Sequence, residues 1–300
     1  MTSPRQILPG TTYLVTRRCL QRQYLLRPSK ATTERVGYLI AVAAERFHID
    51  VHAICVMSNH LHLVVTDPEA RLPAFIQFLD SLVARSMNAS LGQWEYFWAP
   101  PSYSAVALQG PSAIVDKIAY VLANPVAAGL VRRARMWPGL WSAPAQMGAE
   151  PLVFTRPTPF FRKRGARALP ERARLPLVLP PGFDSPAAFR RAVCDALQLR
   201  EEAAALDLQA HRRGFLGVQA VLAQRPFSKP SRPEPRRRLN PRVASKHQPS
   251  RVQALTHLVA FLRDYRRAFS AWRNHATNVL FPAGTYLMRV CHRAPCEAPA

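Results

Sequence analysis

Along residues 31–47 apolar side chains return every three or four positions, with Val36, Leu39, Ile40, Ala43 and Phe47 on one stripe. That period predicts a helix, with Thr32 or Thr33 as its cap. A second stripe, from Leu72 and Phe75 through Leu79 and Val83 to Met87, predicts a strongly amphipathic helix over residues 69–91. Between the two, residues 52–57 and 61–66 read as apolar strands joined through Ser58-Asn59, a short turn that presents His60 at its exit. Residues 13–21 alternate enough for a first strand, and residues 103–108 read as a last one. Ile114, Ile118, Val121 and Leu122 then recur at helical spacing after Pro111-Ser112. Pro125 is expected to stop that helix, because proline lacks an N–H and restricts the residue before it. The order β-α-β-β-α-β plus one further helix predicts an α+β fold, a ferredoxin-like antiparallel sheet with helices on one face. An RNA-binding module of the same topology would show the same pattern.

The rest of the chain reads differently. Residues 144–181 are rich in proline and arginine and predict an extended crossing segment with no room for a long helix. Residues 185–223 look helical, capped by Asp184 or Ser185, with Phe189, Val193 and Leu197 and later Phe215, Val218 and Leu222 at apolar spacing. Residues 225–251 read as a flexible basic linker, and residues 251–276 as another helix. Residues 281–286 mark a turn into a last short strand. The expected organisation is therefore a first domain over 8–142, a Pro/Arg-rich connector over 143–180, and a basic, mainly helical accessory region over 181–300. A chain cut near Pro180 is expected to keep its fold, since the predicted sheet and its helices precede that point.

Charge sharpens this division. The 300-residue chain carries a formal net charge of +23, and residues 151–300 hold 27 Lys and Arg against 9 Asp and Glu. Residues 1–150 hold 14 against 9. A genome-wide bias toward arginine would leave acidic residues roughly in balance, so the excess points to a polyanion, nucleic acid, and away from a small neutral substrate. No apolar run reaches the 18 or more residues of a membrane span, and residues 1–5 lack the apolar stretch of a secretory signal. Five scattered cysteines argue against a disulfide framework and for a reducing cytosol. Cys291 and Cys296 have no second pair at finger-like spacing and read as ordinary thiols.

Candidate chemistry lies in two places. His60 and His62 flank Leu61, and alternate side chains on a strand share a face, so two imidazoles stand side by side as half of a divalent metal site. About sixty residues later, Tyr120 and Asn124 lie one helical turn apart. Tyrosine can serve as a covalent nucleophile, and an asparagine amide oxygen can bind a metal. The alternative for Tyr120 is packing in the core with its hydroxyl on a carbonyl. Trp94, Tyr96, Phe97, Trp98 and Tyr103 form either a base-stacking loop or buried packing. Arg132, Arg133 and Arg135 follow the tyrosine helix as candidate phosphate contacts or as a solvated charge run.

Taken together, Ser58-Asn59-His60-Leu61-His62 and Tyr120-x-x-x-Asn124-Pro125-Val126-x-Ala128-Gly129-Leu130-Val131 resemble the single-tyrosine HUH transposases. The closest branch is the REP-associated tyrosine transposases of bacteria. The likeness covers residues 8–142, including residues 13–18 at the front and Phe97-Trp98 before the tyrosine helix. It implies metal-dependent nicking and strand transfer on single-stranded or hairpin DNA through a 5′-phosphotyrosine, with Tyr120 as nucleophile and His60 and His62 as ligands of Mg²⁺ or Mn²⁺. Some relatives complete the metal site with a glutamine four residues after the tyrosine; here Asn124 takes that place. The implied partner is DNA in the cytoplasm, with no membrane, and a homodimer is compatible. A DNA-binding protein that keeps the fold without catalysis is the competing reading.

Overall fold

A computed structural model describes residues 4–100, 103–158, 161, 168–231 and 241–299. The elements are β1 (Thr11–Arg18), α1 (Lys30–Phe47), β2 (Asp50–Met57), β3 (His60–Asp67), α2 (Leu72–Leu91), β4 (Ser104–Leu108) and α3 (Pro111–Ala127). They are followed by β5 (Leu152–Thr155), β6 (Arg172–Leu175), α4 (Pro186–Ala210), α5 (Val218–Leu222), β7 (Val243–Ala244), α6 (Gln248–Arg273) and α7 (Tyr286–Cys291). The main sheet runs β2-β3-β1-β4-β7. Its first four strands pair antiparallel in the ferredoxin-like order, and β7 adds in parallel to β4, making the sheet mixed.

Strand alternation splits the interior into two cores. Leu61, Leu63 and Val65 of β3, with Val15 of β1 and Ile54 of β2, face α1 and α2. Leu14, Cys55, Met57 and Val64 point the opposite way and meet α3 and α4. Helices therefore cover both faces: α1 and α2 the face expected, α3 and α4 the other.

Local chemistry sets the helix ends, and some differ from expectation. The α1 cap is Ser29 rather than Thr32 or Thr33; its Oγ accepts the Thr32 N–H at 3.0 Å. Asp67, at the end of β3, caps α2 from outside by accepting the N–H groups of Arg71 and Leu72 at 2.8 and 2.7 Å. Pro125 does not stop α3, because its missing N–H costs a single bond near the helix end. The stop is Gly129, at φ 70°. The N–H of Gly129 bonds the Val126 carbonyl and that of Leu130 the Pro125 carbonyl, at 2.8 and 2.9 Å. This is a Schellman ending, which a glycine in the left-handed region makes cheaply.

The proline-rich segment is extended, as its composition predicts, but it is packed. β5 and β6 pair into a hairpin over α1, and Phe154, Ala173, Leu175 and Leu177 join the first core. The approach is close enough that a Cβ on Gly37 would overlap the Phe154 ring. On the other face Phe189, Val193 and Leu197 of α4 and Val221 of α5 are part of the second core. Burying each such side chain contributes about 1.5–3 kcal/mol, so a cut near Pro180 strips α3 of its cover, and the packing does not support an independent fold for residues 1–180.

Further on, residues 232–240 of the predicted linker lie outside the described residues, and Val243-Ala244 is not free chain but β7. The predicted last strand is the helix α7 instead. Leu287, Met288 and Arg289 are good helix formers, and Met288 buries beside Phe281 and Ala268 in a small third core. Among the described residues no helix is long and apolar enough to cross a membrane.

Candidate functional site

His60 and His62 leave β3 on the face turned toward α3, next to β1 residues Arg18 and Thr16 in the strand register. Their rings stand perpendicular with centroids 4.7 Å apart. The Asn59 amide gives its Nδ2 protons to the Arg22 carbonyl, at 3.1 Å, so its Oδ1 is an acceptor. His60 Nδ1, 2.7 Å from that oxygen, is therefore the protonated nitrogen, and its lone pair sits on Nε2. His62 Nδ1 lies 2.9 Å from Thr16 Oγ1, which holds the ring in place and, with Nδ1 donating, leaves its lone pair on Nε2 as well.

His62 Nε2 is buried and has no hydrogen-bond partner. Burial pushes the His62 pKa well below the ordinary histidine value, helped by the neighbouring His60 and Arg18, while the Asn124 carboxamide counters part of the shift without hydrogen-bond geometry to Nε2. The ring is thus neutral, the form that binds a metal.

Tyr120 comes to this pair from α3, with its ring centroid 5.8 Å from that of His62. Asn124, one turn on, donates Nδ2 to the Tyr120 carbonyl at 3.0 Å, which orients Oδ1 away from the backbone carbonyl. Two cations flank the tyrosine: Lys117 Nζ is 5.8 Å and Arg200 Cζ 5.7 Å from the ring centroid. Asp116 holds both, at 3.1 and 2.6 Å. Burial of Asp116 raises its pKa, but hydrogen bonds and charge from Arg200 and Lys117 outweigh that and leave it below the usual carboxylate range.

These four residues line one cleft of about 1090 Å³, together with Arg18, Arg22, Tyr24, Arg212 and Arg213. Among the described residues no acidic side chain lines it. Arg18 could have been placed from the pairing of β1 with β3; Arg212, Arg213 and Arg200 carry no sequence signal, because only the packing of α4 on α3 brings them here. Arg132, Arg133 and Arg135 do not line the cleft. Arg133 bonds Glu201 at 3.1 Å, and the other two face solvent. The aromatic cluster divides: Trp94 and Tyr96 are 93% and 84% exposed, while Phe97 and Trp98 are buried in the first core.

Among the described residues no group of three or more His, Cys, Asp and Glu forms a metal-holding cluster. The donors at hand are two imidazole Nε2 atoms and one amide oxygen. That set suits a borderline divalent ion such as Mn²⁺ better than Mg²⁺, which favours oxygen.

A strand-borne histidine pair thus faces a helix-borne tyrosine in a basic cleft. Residues 11–121 match the family described as "Transposase IS200 like". The match takes in His60, His62 and Tyr120 and ends before Asn124. Similar solved structures include a REP-associated tyrosine transposase bound to a REP hairpin, at 18% identity, covering 46% of this chain and 81% of that one, with a TM-score of 0.40. Others are a transposase-like protein from Deinococcus radiodurans (20% identity, 35% and 85% covered, TM-score 0.28) and tRNA(His) guanylyltransferase from Saccharomyces cerevisiae (11%, 43% and 64%, 0.32). No curated protein matches the chain.

Proposed function

We propose that the protein nicks single-stranded DNA at hairpin-forming repeats, as the REP-associated branch of the family is described to do, and rejoins strands through a 5′-phosphotyrosine. The observation that carries the reading is His62 Nε2, buried without a partner and turned toward Tyr120 and Asn124. A buried polar atom left unsatisfied costs about 1–3 kcal/mol, a cost that a bound ion would remove.

Tyr120 Oη attacks the phosphorus in line with the departing 3′ oxygen. The bond from phosphorus to Oη forms as the bond to O3′ breaks. The phenolic proton passes to water in the open cleft, and the leaving oxygen takes one up as a free 3′-OH. The 5′-phosphate stays on the tyrosine, so the bond energy is kept for rejoining. Lys117 and Arg200 stand beside the ring, held there by Asp116. Arg18 lies where it can hold the phosphate next to the histidines. A divalent cation on His60, His62 and Asn124 Oδ1 would supply charge stabilisation at the non-bridging oxygen.

The test is incubation with hairpin-bearing single-stranded DNA and Mn²⁺, followed by denaturing electrophoresis. A covalent protein–DNA band is expected, absent in EDTA and absent with Tyr120→Phe. Tight binding of the hairpin with no band under any metal would leave a DNA-binding role without catalysis.

A further inference from the structure

Residues 211–231 lie outside the matched transposase domain, yet they form one wall of the cleft. After α4 the chain reverses at Arg212, whose φ of 50° is in the left-handed region. The reversal brings Arg212, Arg213 and the half-buried Phe215 to the cleft. The segment is then fastened twice. Leu216 and Gly217 donate their N–H groups to the carbonyls of Gly129 and Leu130, at 2.8 and 2.9 Å, at the Schellman end of the tyrosine helix. Farther on, Ser58 Oγ bonds Gln224 Oε1 at 2.6 Å, Arg27 bonds the Leu222 carbonyl at 3.0 Å, and Tyr24 N–H bonds the Ser228 carbonyl at 2.9 Å. One strap therefore ties the end of the tyrosine helix to the turn that carries the histidines.

We propose that this strap is the substrate clamp of the site. The phosphodiester backbone of a single strand lies between Arg18 and Arg22 on one side and Arg212 and Arg213 on the other, with Phe215 as a stacking surface for a base. The four arginines come from distant parts of the sequence into one cleft, and among the described residues no acidic side chain lines it. Guanidinium groups fit phosphate oxygens in pairs, and an aromatic ring accepts any base, so the chemistry matches a nucleic-acid strand rather than a small anion. Arg213 Nη2 lies 3.8 Å from where a Cβ on Gly129 would stand, so the arginine sits against the end of the tyrosine helix. The inference rests on the proposal that DNA is the substrate, but not on cleavage.

The experiment therefore uses the full chain carrying Tyr120→Phe, so that binding is read without chemistry. A fluorescent single-stranded hairpin oligonucleotide is titrated over a salt series. Arg212→Ala with Arg213→Ala should weaken binding about tenfold and flatten the plot of log K against log salt by about 1.4, since each phosphate contact on a single strand contributes roughly 0.7. Arg212→Lys with Arg213→Lys should keep most of the slope, and Arg132→Ala with Arg135→Ala should change neither quantity. Unchanged affinity and slope in the alanine pair, folded by its melting curve, would overturn the clamp. Where that pair fails to fold, photocrosslinking of the Tyr120→Phe chain to an oligonucleotide bearing 5-iododeoxyuridine decides. Crosslinks in the peptide containing Phe215 support the clamp, and crosslinks confined to residues 11–142 overturn it. A chain that binds through the strap but never forms the covalent band keeps the clamp and loses the nicking reaction; the converse result loses only the clamp.

Discussion

The two ends of one sheet face hold the same residue type in opposite conditions. At the far end, His52 is fully buried and both ring nitrogens are satisfied: Nδ1 on the Val178 carbonyl at 2.9 Å and Nε2 on Thr66 Oγ1 at 2.8 Å. Thr66 in turn meets Thr12 at 2.7 Å, which closes the network. At the near end, His62 is 3% exposed and equally tied on Nδ1, yet its Nε2 meets nothing. Burial depresses both pKa values, His52 to about 4. Burial and titration therefore do not tell the two histidines apart; the fate of the second nitrogen does. A completed network stabilises the fold, whereas an open one is a cost that persists where something else is meant to bind.

Substitutions that swap the behaviour of the two ends would break this contrast. The largest effect is expected from His62→Ala, which should lower covalent adduct formation with Mn²⁺ by roughly 100-fold or more while barely moving the melting temperature. Adduct at the native level would show that the open nitrogen does no chemistry. Next comes pH. The folded pKa of His52, about 4, lies below the ordinary histidine value of 6.5, so the unfolded chain takes up the proton first as pH falls. Stability should be whole above about pH 6.5 and drain by an amount on the order of 3 kcal/mol toward pH 4, with His62 acting in the same direction. Denaturant titrations across that window should show a shallower fall in His52→Leu; an identical fall would remove His52 from the account.

His52→Leu itself should cost about 2 kcal/mol at pH 7 by leaving Thr66 and the Val178 carbonyl short of a partner, with adduct yield per folded molecule unchanged. Lost activity at full stability would invert the assignment. The smallest effect belongs to Asn124→Ala, a few-fold loss of adduct, because water can replace a neutral amide oxygen. A loss as deep as that of His62→Ala would make Asn124 an equal partner in the site.

Much of this was legible in the chain because it is local. The stripes of α1 and α2, the alternation of β2 and β3, and the positions of His60, His62 and Tyr120 follow from periods of 3.6 and 2. What could not be read depends on long-range packing. The capping of α2 by Asp67, the folding of the proline-rich segment onto Gly37, and the docking of α4 on α3 have no local pattern. The same holds for the cleft's arginines: Arg132, Arg133 and Arg135 follow the tyrosine in sequence, yet Arg212 and Arg213 follow it in space. Pro125 was misleading because one missing N–H near a helix end is a weaker signal than the glycine four residues later.

The central claim is that the chemistry takes place at Tyr120, beside the open histidine. A second tyrosine, Tyr24, lines the same cleft, and burial raises its pKa. The most direct measurement is therefore protease digestion of the Mn²⁺-dependent protein–DNA adduct and mass spectrometry of the peptide that carries the nucleotide. The phosphonucleotide is expected on Tyr120; finding it on Tyr24, or on any residue outside α3, would contradict the account.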